Sequence, residues 1–193
     1  MNIAISSIIG LGLTKIANIE IDLKDHSSTK VGIQEDKKGT IYYGYLNGDK
    51  KNGLGIQKSS TSYNFEGEWK HNIPNGIGLK SNNSGTYHFG IFKNGTIEGA
   101  GKQGNSDYTY SGFFENGFRS GVAQIVHKNS NRQFVGYFKE NEKNGYGEEY
   151  NLAKGSYYKG FHTMGTKEGI CTEKKGDSIF TGKYNNKSKD GVC

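Results

Sequence analysis

Several residue types that would define a protein class are scarce in this chain of 193 residues. Its single proline excludes collagen and proline-rich linkers, and its two cysteines are too few for a disulfide framework. Hydrophobic residues make up only 32% of the sequence, which is little for a thick globular core of this length. The apolar run at residues 3–13 is too short to span a bilayer.

Arginine is also scarce, and this bears on the class of ligand. The chain has 25 lysines and arginines against 19 aspartates and glutamates, a net charge of +6, but only Arg119 and Arg132 are arginines. Nucleic-acid readers often use the bidentate guanidinium group for base and phosphate contacts, so we expect no nucleic-acid partner. A mild excess of lysine fits an anionic surface such as lipid headgroups. It also fits solubility alone, which is the simpler interpretation.

Glycine and aromatic residues are abundant, and their order repeats. The chain holds 30 glycines, 13 tyrosines and 10 phenylalanines. Glycines nine positions apart form seven pairs: Gly44/Gly53, Gly67/Gly76, Gly90/Gly99, Gly112/Gly121, Gly136/Gly145, Gly160/Gly169 and Gly182/Gly191. The first members recur every 22–24 residues, and a fixed period of this length indicates a repeat architecture.

Each first glycine lies between two side chains that are nearly always aromatic. Two residues before it stand Tyr42, Phe65, His88, Tyr110, Phe134, Tyr158 and Phe180. Two residues after it stand Leu46, Trp69, Phe92, Phe114, Phe138, His162 and Tyr184. Because residues i, i+2 and i+4 of a strand share one face, the pattern predicts a ring–glycine–ring face. Turn-forming residues follow and a second strand starts at the second glycine, so each unit is predicted to be a β-hairpin.

The segment Phe-Glu-Gly-Glu-Trp at 65–69, followed by Gly-Ile-Gly at 76–78, resembles the MORN (membrane occupation and recognition nexus) repeat. The resemblance covers residues 41–193, with departures at Leu46, His88, Ala123, His162, Cys171 and Cys193. It implies an all-β fold, an elongated solenoid of seven stacked antiparallel β-hairpins.

Residues 1–40 are predicted to hold an apolar cap and a degenerate half-repeat. The segment Val-Gly-Ile-Gln at 31–34 resembles Leu-Gly-Ile-Gln at 54–57, one period later, so residues 18–34 indicate a glycine-poor hairpin. Terminal repeats of solenoids are usually atypical because they cover an open end. We expect residues 1–17 to pack over that end; a membrane contact and a signal peptide are the alternatives.

No group of residues suggests catalysis. Residues 99–104 satisfy G-x-G-x-x-G, but Gly99 and Gly101 occupy repeat positions without a βαβ pattern around them. The five histidines are scattered, so we expect no metal site, no cofactor and no enzymatic activity. Equivalent positions of adjacent hairpins lie about 9–10 Å apart, beyond the reach of a disulfide, which predicts free thiols at Cys171 and Cys193.

A row of basic residues is the first candidate surface. Seven residues after the first glycine, at the predicted hairpin tip, five of the seven repeats carry a cation. These candidates for an anionic ligand are Lys51, Arg119, Lys143, Lys167 and Lys189. The alternative is that turns favour lysine and the row is merely solvated.

The second candidate surface is the strand face opposite the ring–glycine–ring motif. Its candidate partner-interface residues are Tyr43, Tyr45, Phe89, Ile91, Phe113, Tyr137 and Phe161. An apolar face of this size marks an interface if it is exposed and a core if it is packed. The sequence leaves these two alternatives open.

The resemblance implies a cytoplasmic scaffold or adaptor attached to membranes or cytoskeleton. We therefore predict a non-enzymatic protein that binds a protein partner through the aromatic face, with self-association as a further expectation. The alternative is a peripheral membrane module that binds anionic phospholipids, such as phosphoinositides, through the basic row.

Overall fold

The computed structural model describes residues 29–185 and 187–192, which form strands and turns without any helix. In this part of the chain the strands are β1 (Thr29–Glu35), β2 (Ile41–Asn47), β3 (Lys50–Lys58), β4 (Asn64–Lys70), β5 (Ile73–Ser81), β6 (Tyr87–Lys93), β7 (Thr96–Gly104), β8 (Tyr108–Glu115), β9 (Phe118–His127), β10 (Arg132–Lys139), β11 (Glu142–Asn151), β12 (Ser156–Thr163), β13 (Thr166–Lys175), β14 (Ser178–Asn185) and β15 (Ser188–Val192). None of the described residues belongs to a helix that could cross a membrane.

The order of the strands in the sheet follows their order in the chain. A first compact unit contains Phe92–Gly95 and the described residues up to Asn83, and in it β1–β5 pair consecutively and antiparallel. A second unit contains Ser84–Ile91 and the described residues from Thr96 onwards, and in it β7–β15 pair in the same way. The predicted all-β fold of stacked antiparallel hairpins is confirmed.

Two-residue turns join the strands of the hairpins from β2–β3 to β12–β13. Between β8 and β9 the turn residues Asn116 and Gly117 have φ angles of 50° and 82°. Positive φ at both positions is the type I′ geometry, which matches the right-handed twist of the flanking strands. Asparagine and glycine adopt positive φ more readily than other residues, which explains why they recur at these tips.

A β-bulge follows the first glycine of the pair in five hairpins, β2–β3, β4–β5, β8–β9, β10–β11 and β12–β13. Between β10 and β11, Gly136 faces Gly147 but Phe138 faces Lys143, so the register shifts between them. Gly145, in the bulge, has a φ of 100°, a conformation that side-chain-bearing residues avoid. In these hairpins the second glycine of the nine-residue pair lies in the bulge, whereas the last pair, Gly182 and Gly191, face each other without a bulge. Where the first ring is a tyrosine, its hydroxyl donates to the carbonyl three residues on, in the pairs Tyr42/Tyr45, Tyr110/Phe113 and Tyr158/Phe161.

The core is a ladder of edge-to-face ring contacts on one face of the sheet, here named the ring face. Phe134 contacts Phe138 of its own hairpin at a centroid distance of 5.3 Å and His162 of the next hairpin at 5.4 Å. The buried ladder positions are Tyr42, Phe65, Trp69 and Phe92 in the first unit and Tyr110, Phe114, Phe134, Phe138, Tyr158, His162 and Phe180 in the second. Each hairpin thus buries its rings against its neighbours, which an isolated hairpin could not do.

The start of the described chain continues the repeat. β1 carries the Val-Gly-Ile-Gln segment, and its Gly32 faces Gly44 of β2. Residues 1–28, with the predicted cap and the first strand of the degenerate hairpin, lie outside the described residues, as does Cys193. Cys171 is a buried free thiol, and burial raises its pKa.

Candidate interaction surfaces

The face opposite the ring face is here named the open face, and in the first unit it exposes an apolar cluster. Val31 faces Tyr45, and Ile33 faces Tyr43, across the β1–β2 pair. These four side chains are 38–70% exposed, and Ile41 beside them is 47% exposed. The cluster is contiguous across two strands, which distinguishes it from scattered surface apolar residues.

In the second unit the open face carries a row of exposed apolar side chains that crosses the strands. This apolar row consists of Phe113, Val122, Tyr137, Tyr146, Phe161 and Ile170, each 43–64% exposed. Tyr146 faces Phe161 across the strand pair, with ring centroids 5.7 Å apart. The members lie on six consecutive strands, β8–β13, so the row is about 24 Å long at ~4.8 Å per strand.

Glycines of the second strands provide flat backbone beside the rings of the apolar row. A Cβ added at Gly145 would lie 3.3 Å from the Cβ of Tyr137, and one at Gly169 would lie 3.8 Å from the Cβ of Phe161. The exposed rings therefore rest against main chain. Rings held in this way lose little conformational freedom on binding, which favours affinity.

Six of the seven residues predicted for the partner surface lie exposed on the open face: Tyr43, Tyr45, Ile91, Phe113, Tyr137 and Phe161. The seventh expectation is wrong, because Phe89 is only 8% exposed. The alternation of burial along β6 breaks at this point, where Phe89 and Gly90 are both buried. The structure also shows which face is packed, a question that the sequence left open.

The basic row lies on the ring face, with each cation over an aromatic ring. The pairs are Lys51/Tyr42, Arg119/Tyr110, Lys143/Phe134, Lys167/Tyr158 and Lys189/Phe180, at centroid distances of 5.0, 5.7, 4.5, 4.0 and 4.7 Å. In the other two repeats this position is taken by Pro74 and Ile97, both buried. The row therefore packs on the core rings through cation–π contacts.

The basic row is not at the hairpin tips, where the sequence placed it, but at the second residue of each second strand. The turn before Lys143 lies at Glu140 and Asn141. This turn binds the preceding hairpin, because the Asn141 N–H donates to the Arg119 carbonyl at 3.0 Å and the Asn141 Oδ1 accepts from the Arg119 N–H at 2.8 Å. The backbone of the row is thus bound by the next hairpin while its side chains lie over the rings.

A buried carboxylate holds the last members of the basic row. Glu173 is 3% exposed, and its oxygens lie 2.7 Å from Lys189 Nζ and 3.0 Å from Lys167 Nζ. The Tyr184 hydroxyl donates to it at 3.0 Å. Burial alone would raise the pKa of Glu173, but the hydrogen bonds from the two lysines and the tyrosine outweigh burial and lower it to about 2.

Glu149 repeats this arrangement one hairpin earlier. Its Oε1 lies 2.5 Å from Lys143 Nζ and 3.4 Å from His162 Nε2, and its Oε2 lies 3.6 Å from Lys167 Nζ. Burial opposes the charge, but the contacts with His162 and Lys143 prevail and hold the pKa of Glu149 well below its usual range. Because Lys167 contacts both Glu149 and Glu173, these groups form one charge network.

A groove of about 340 Å³ opens beside the charge network in the second unit. It is lined by Arg132, Lys143, Lys167, Lys174 and Lys175 and by both carboxylates of the network, with aromatic walls that include Tyr157 and Tyr158. Cations therefore outnumber anions in the groove. Over residues 29–185 and 187–192, no three histidine, cysteine, aspartate or glutamate side chains come together as a metal ion would require.

Sequence reasoning missed the acceptors of the charge network, although a spacing signal was present. The acceptor lies six residues after the cation in Lys51/Gln57, Lys143/Glu149 and Lys167/Glu173. Val122, Tyr146 and Ile170 also lie on the open face but are not among the candidate residues that the sequence suggested. Their common signal is that each follows a second glycine directly.

The MORN repeat family model matches three segments, residues 65–87, 110–132 and 134–150. Each segment contains one hairpin, formed by β4–β5, β8–β9 and β10–β11 respectively. No curated protein matches the chain.

Proposed function

Because the chain is a MORN-repeat protein, we propose that it is a non-enzymatic scaffold that binds a partner protein through the apolar row of its open face. MORN repeats are generally involved in interactions with proteins and membranes. The observation that carries the proposal is the apolar row itself, six exposed apolar side chains on six consecutive strands. Contiguous exposed apolar surface of this kind marks interaction sites.

The surroundings of the apolar row support a protein partner. Tyr146 and Phe161 are followed outward along their strands by Glu148 and Lys159, whose charged groups pair at 3.1 Å. A central apolar strip with a polar border is the usual anatomy of a protein interface. Four of the six members are aromatic, the class that often supplies most of the binding energy.

The test is site-specific photo-crosslinking of the full chain in extract of the cells that express it. A photoreactive phenylalanine analogue replaces Tyr137 or, as the control, Thr181, an exposed polar position on β14. We expect a protein adduct from position 137 that disappears when Phe113→Ser and Phe161→Ser are added. Equal yields from the two positions, or yields that the serine substitutions leave unchanged, would refute the proposal. An adduct between two copies of this chain would identify the partner as itself.

An anionic phospholipid is the second candidate ligand, and the basic row favours it. Glu149 and Glu173 bind Lys143, Lys167 and Lys189, whereas no ion pair among the described residues involves Lys51 or Arg119. Lys51 and Arg119 are therefore the members of the basic row best able to bind a phosphate group.

Liposome flotation tests this second candidate. The lipid ligand is supported if the chain floats only with phosphoinositide-containing liposomes and if high salt abolishes the flotation. The double variant Lys51→Glu plus Arg119→Glu should then no longer float. Phe113→Ser should not affect flotation. Absence of flotation at low salt rules this ligand out for the purified chain.

A further inference from the structure

The groove of the second unit has three cations on its rim, and two of them lie outside the charge network. The two network carboxylates are occupied by the lysines at its base. No ion pair among the described residues involves Arg132 or Lys174, and Lys175 is 71% exposed and lies 3.6 Å from Glu173. Arg132 and Lys174 are therefore available to an anion from outside, and the exposed Lys175 can bind one in addition to its contact with Glu173.

The rim cations are spread along the groove. Arg132 begins β10, whereas Lys174 and Lys175 end β13. Three strand spacings separate them, about 14 Å at ~4.8 Å per strand. A single carboxylate or phosphate would leave one end of the groove unpaired, whereas an extended peptide spans it with about five residues at ~3.3 Å each.

The shape and walls of the groove favour a peptide over a membrane. A bilayer surface is broad, and it cannot enter a concave site of about 340 Å³. The guanidinium of Arg132 can bind a carboxylate through two parallel hydrogen bonds.

We propose that this groove binds an acidic peptide segment of a partner protein, with Arg132, Lys174 and Lys175 pairing with successive carboxylates. The site lies where β10 and β12 begin and β11 and β13 end, and none of its lining residues belongs to the apolar row. The proposal deepens the function proposed above and rests on it for the class of partner.

The test uses a fluorescein-labelled hexaglutamate peptide and the full chain, with binding followed by fluorescence anisotropy at low and high salt. Hexaglutamine is the uncharged control peptide. Arg132→Gln plus Lys174→Gln removes two rim charges, and Lys139→Gln plus Lys183→Gln removes two exposed charges outside the groove. We expect salt-sensitive binding of hexaglutamate, about tenfold weaker in the groove variant and changed less than about twofold in the control variant.

Three outcomes would overturn the groove proposal. The first is equal weakening of hexaglutamate binding in the two double variants. The second is absence of hexaglutamate binding up to about 1 mM peptide, since a Kd of that size corresponds to a binding free energy of only ~4 kcal/mol. The third is binding of hexathymidylate or anionic vesicles without binding of hexaglutamate. Phe113→Ser distinguishes the two proposals, because it should abolish the crosslink from position 137 and leave hexaglutamate binding intact. A crosslink without peptide binding refutes the groove alone.

Discussion

At the scale of single residues, the fold depends on glycines that an aromatic ring covers. A Cβ added at Gly147 would fall on the ring of Phe134. At Gly136, which faces Gly147, an added Cβ would lie 2.6 Å from the Phe134 Cζ. Close approach of the Phe134 ring therefore requires glycine at these two positions, whereas the repeats of Tyr110 and Tyr158 hold Ala123 and Cys171 at the position of Gly147.

Gly147→Ala should lower the free energy of unfolding by about 1–3 kcal/mol, because the Phe134 ring has to move to make room for the methyl group. Urea denaturation measures the change. Thr181→Ala, at an exposed strand position, is the control and should change the free energy by less than about 0.5 kcal/mol. Similar losses in the two variants would contradict this account of the ring contact.

Glu173 should make the stability depend on acid pH. Its pKa is about 2 in the folded chain against an ordinary value of 4.5, so its stabilising effect is present above about pH 4.5 and is lost as the pH falls towards 2. Glu173→Gln should cost about 1–3 kcal/mol at pH 7, because three lysines lose their carboxylate.

Urea denaturation at pH 7 and pH 3 checks this expectation. The wild-type chain should lose more stability between the two pH values than Glu173→Gln does, so that the difference between them narrows at pH 3. Glu142→Gln, at an exposed carboxylate, is the control and should follow the wild type. A constant difference at both pH values would contradict the role of the Glu173 charge.

At the scale of elements, the turn of one hairpin joins it to the hairpin before. The second turn residue donates its N–H to a basic-row carbonyl, or its equivalent, at 2.8–3.1 Å in the pairs Asn72/Lys51, Gly95/Pro74, Gly117/Ile97, Asn141/Arg119 and Gly165/Lys143. Adjacent hairpins are therefore bound by their turns as well as by strand pairing and rings.

Asn141 allows the turn contact to be measured. Its φ is 73° and its Oδ1 accepts the Arg119 N–H, so Asn141→Ala should lose the hydrogen bond and add backbone strain, about 1–3 kcal/mol in all. Asn141→Gly loses the same hydrogen bond without the strain and should cost less than the alanine variant. Thermal or urea unfolding of the two variants measures both losses of stability. A glycine variant less stable than the alanine variant would contradict the contribution of backbone strain.

The hairpins themselves were predictable, but the positions of their tips were not. The nine-residue glycine spacing suggests that the paired glycines bracket the turn, yet Gly44 faces Gly55 and not Gly53. The bulge causes the difference, because it inserts two extra residues into β3, between Lys51 and Gly55, and glycine spacing alone does not reveal them. The basic row was placed on a tip for a different reason: the second strand was expected to begin at the second glycine, whereas β3 begins at Lys50, three residues before Gly53.

At the scale of the whole molecule, a repeat protein should tolerate removal of a full period. Deleting residues 136–159 joins Val135 to Gly160 and restores the ring–glycine–ring motif. We expect this variant to fold cooperatively, with a urea m-value lower by about one-eighth, because less surface is buried.

The control for this deletion removes residues 136–147, half a period. It joins Val135 to Glu148 and so loses the motif glycine and the hairpin turn. Circular dichroism and urea unfolding should show a loss of cooperative structure in this variant only. Equal tolerance of both deletions would show that the period is not the unit of folding.

By itself the sequence determined the period, the all-β class, the ring–glycine–ring face and the resemblance to the MORN family, because the spacing of residues along the chain carries all of these. Only the tertiary structure decided that the face opposite the ring face is exposed and that Phe89 is buried. It also decided that the basic row lies over the aromatic rings, beside Glu149 and Glu173. These features arise from contacts between neighbouring hairpins and from the register set by the bulges, which local spacing does not specify.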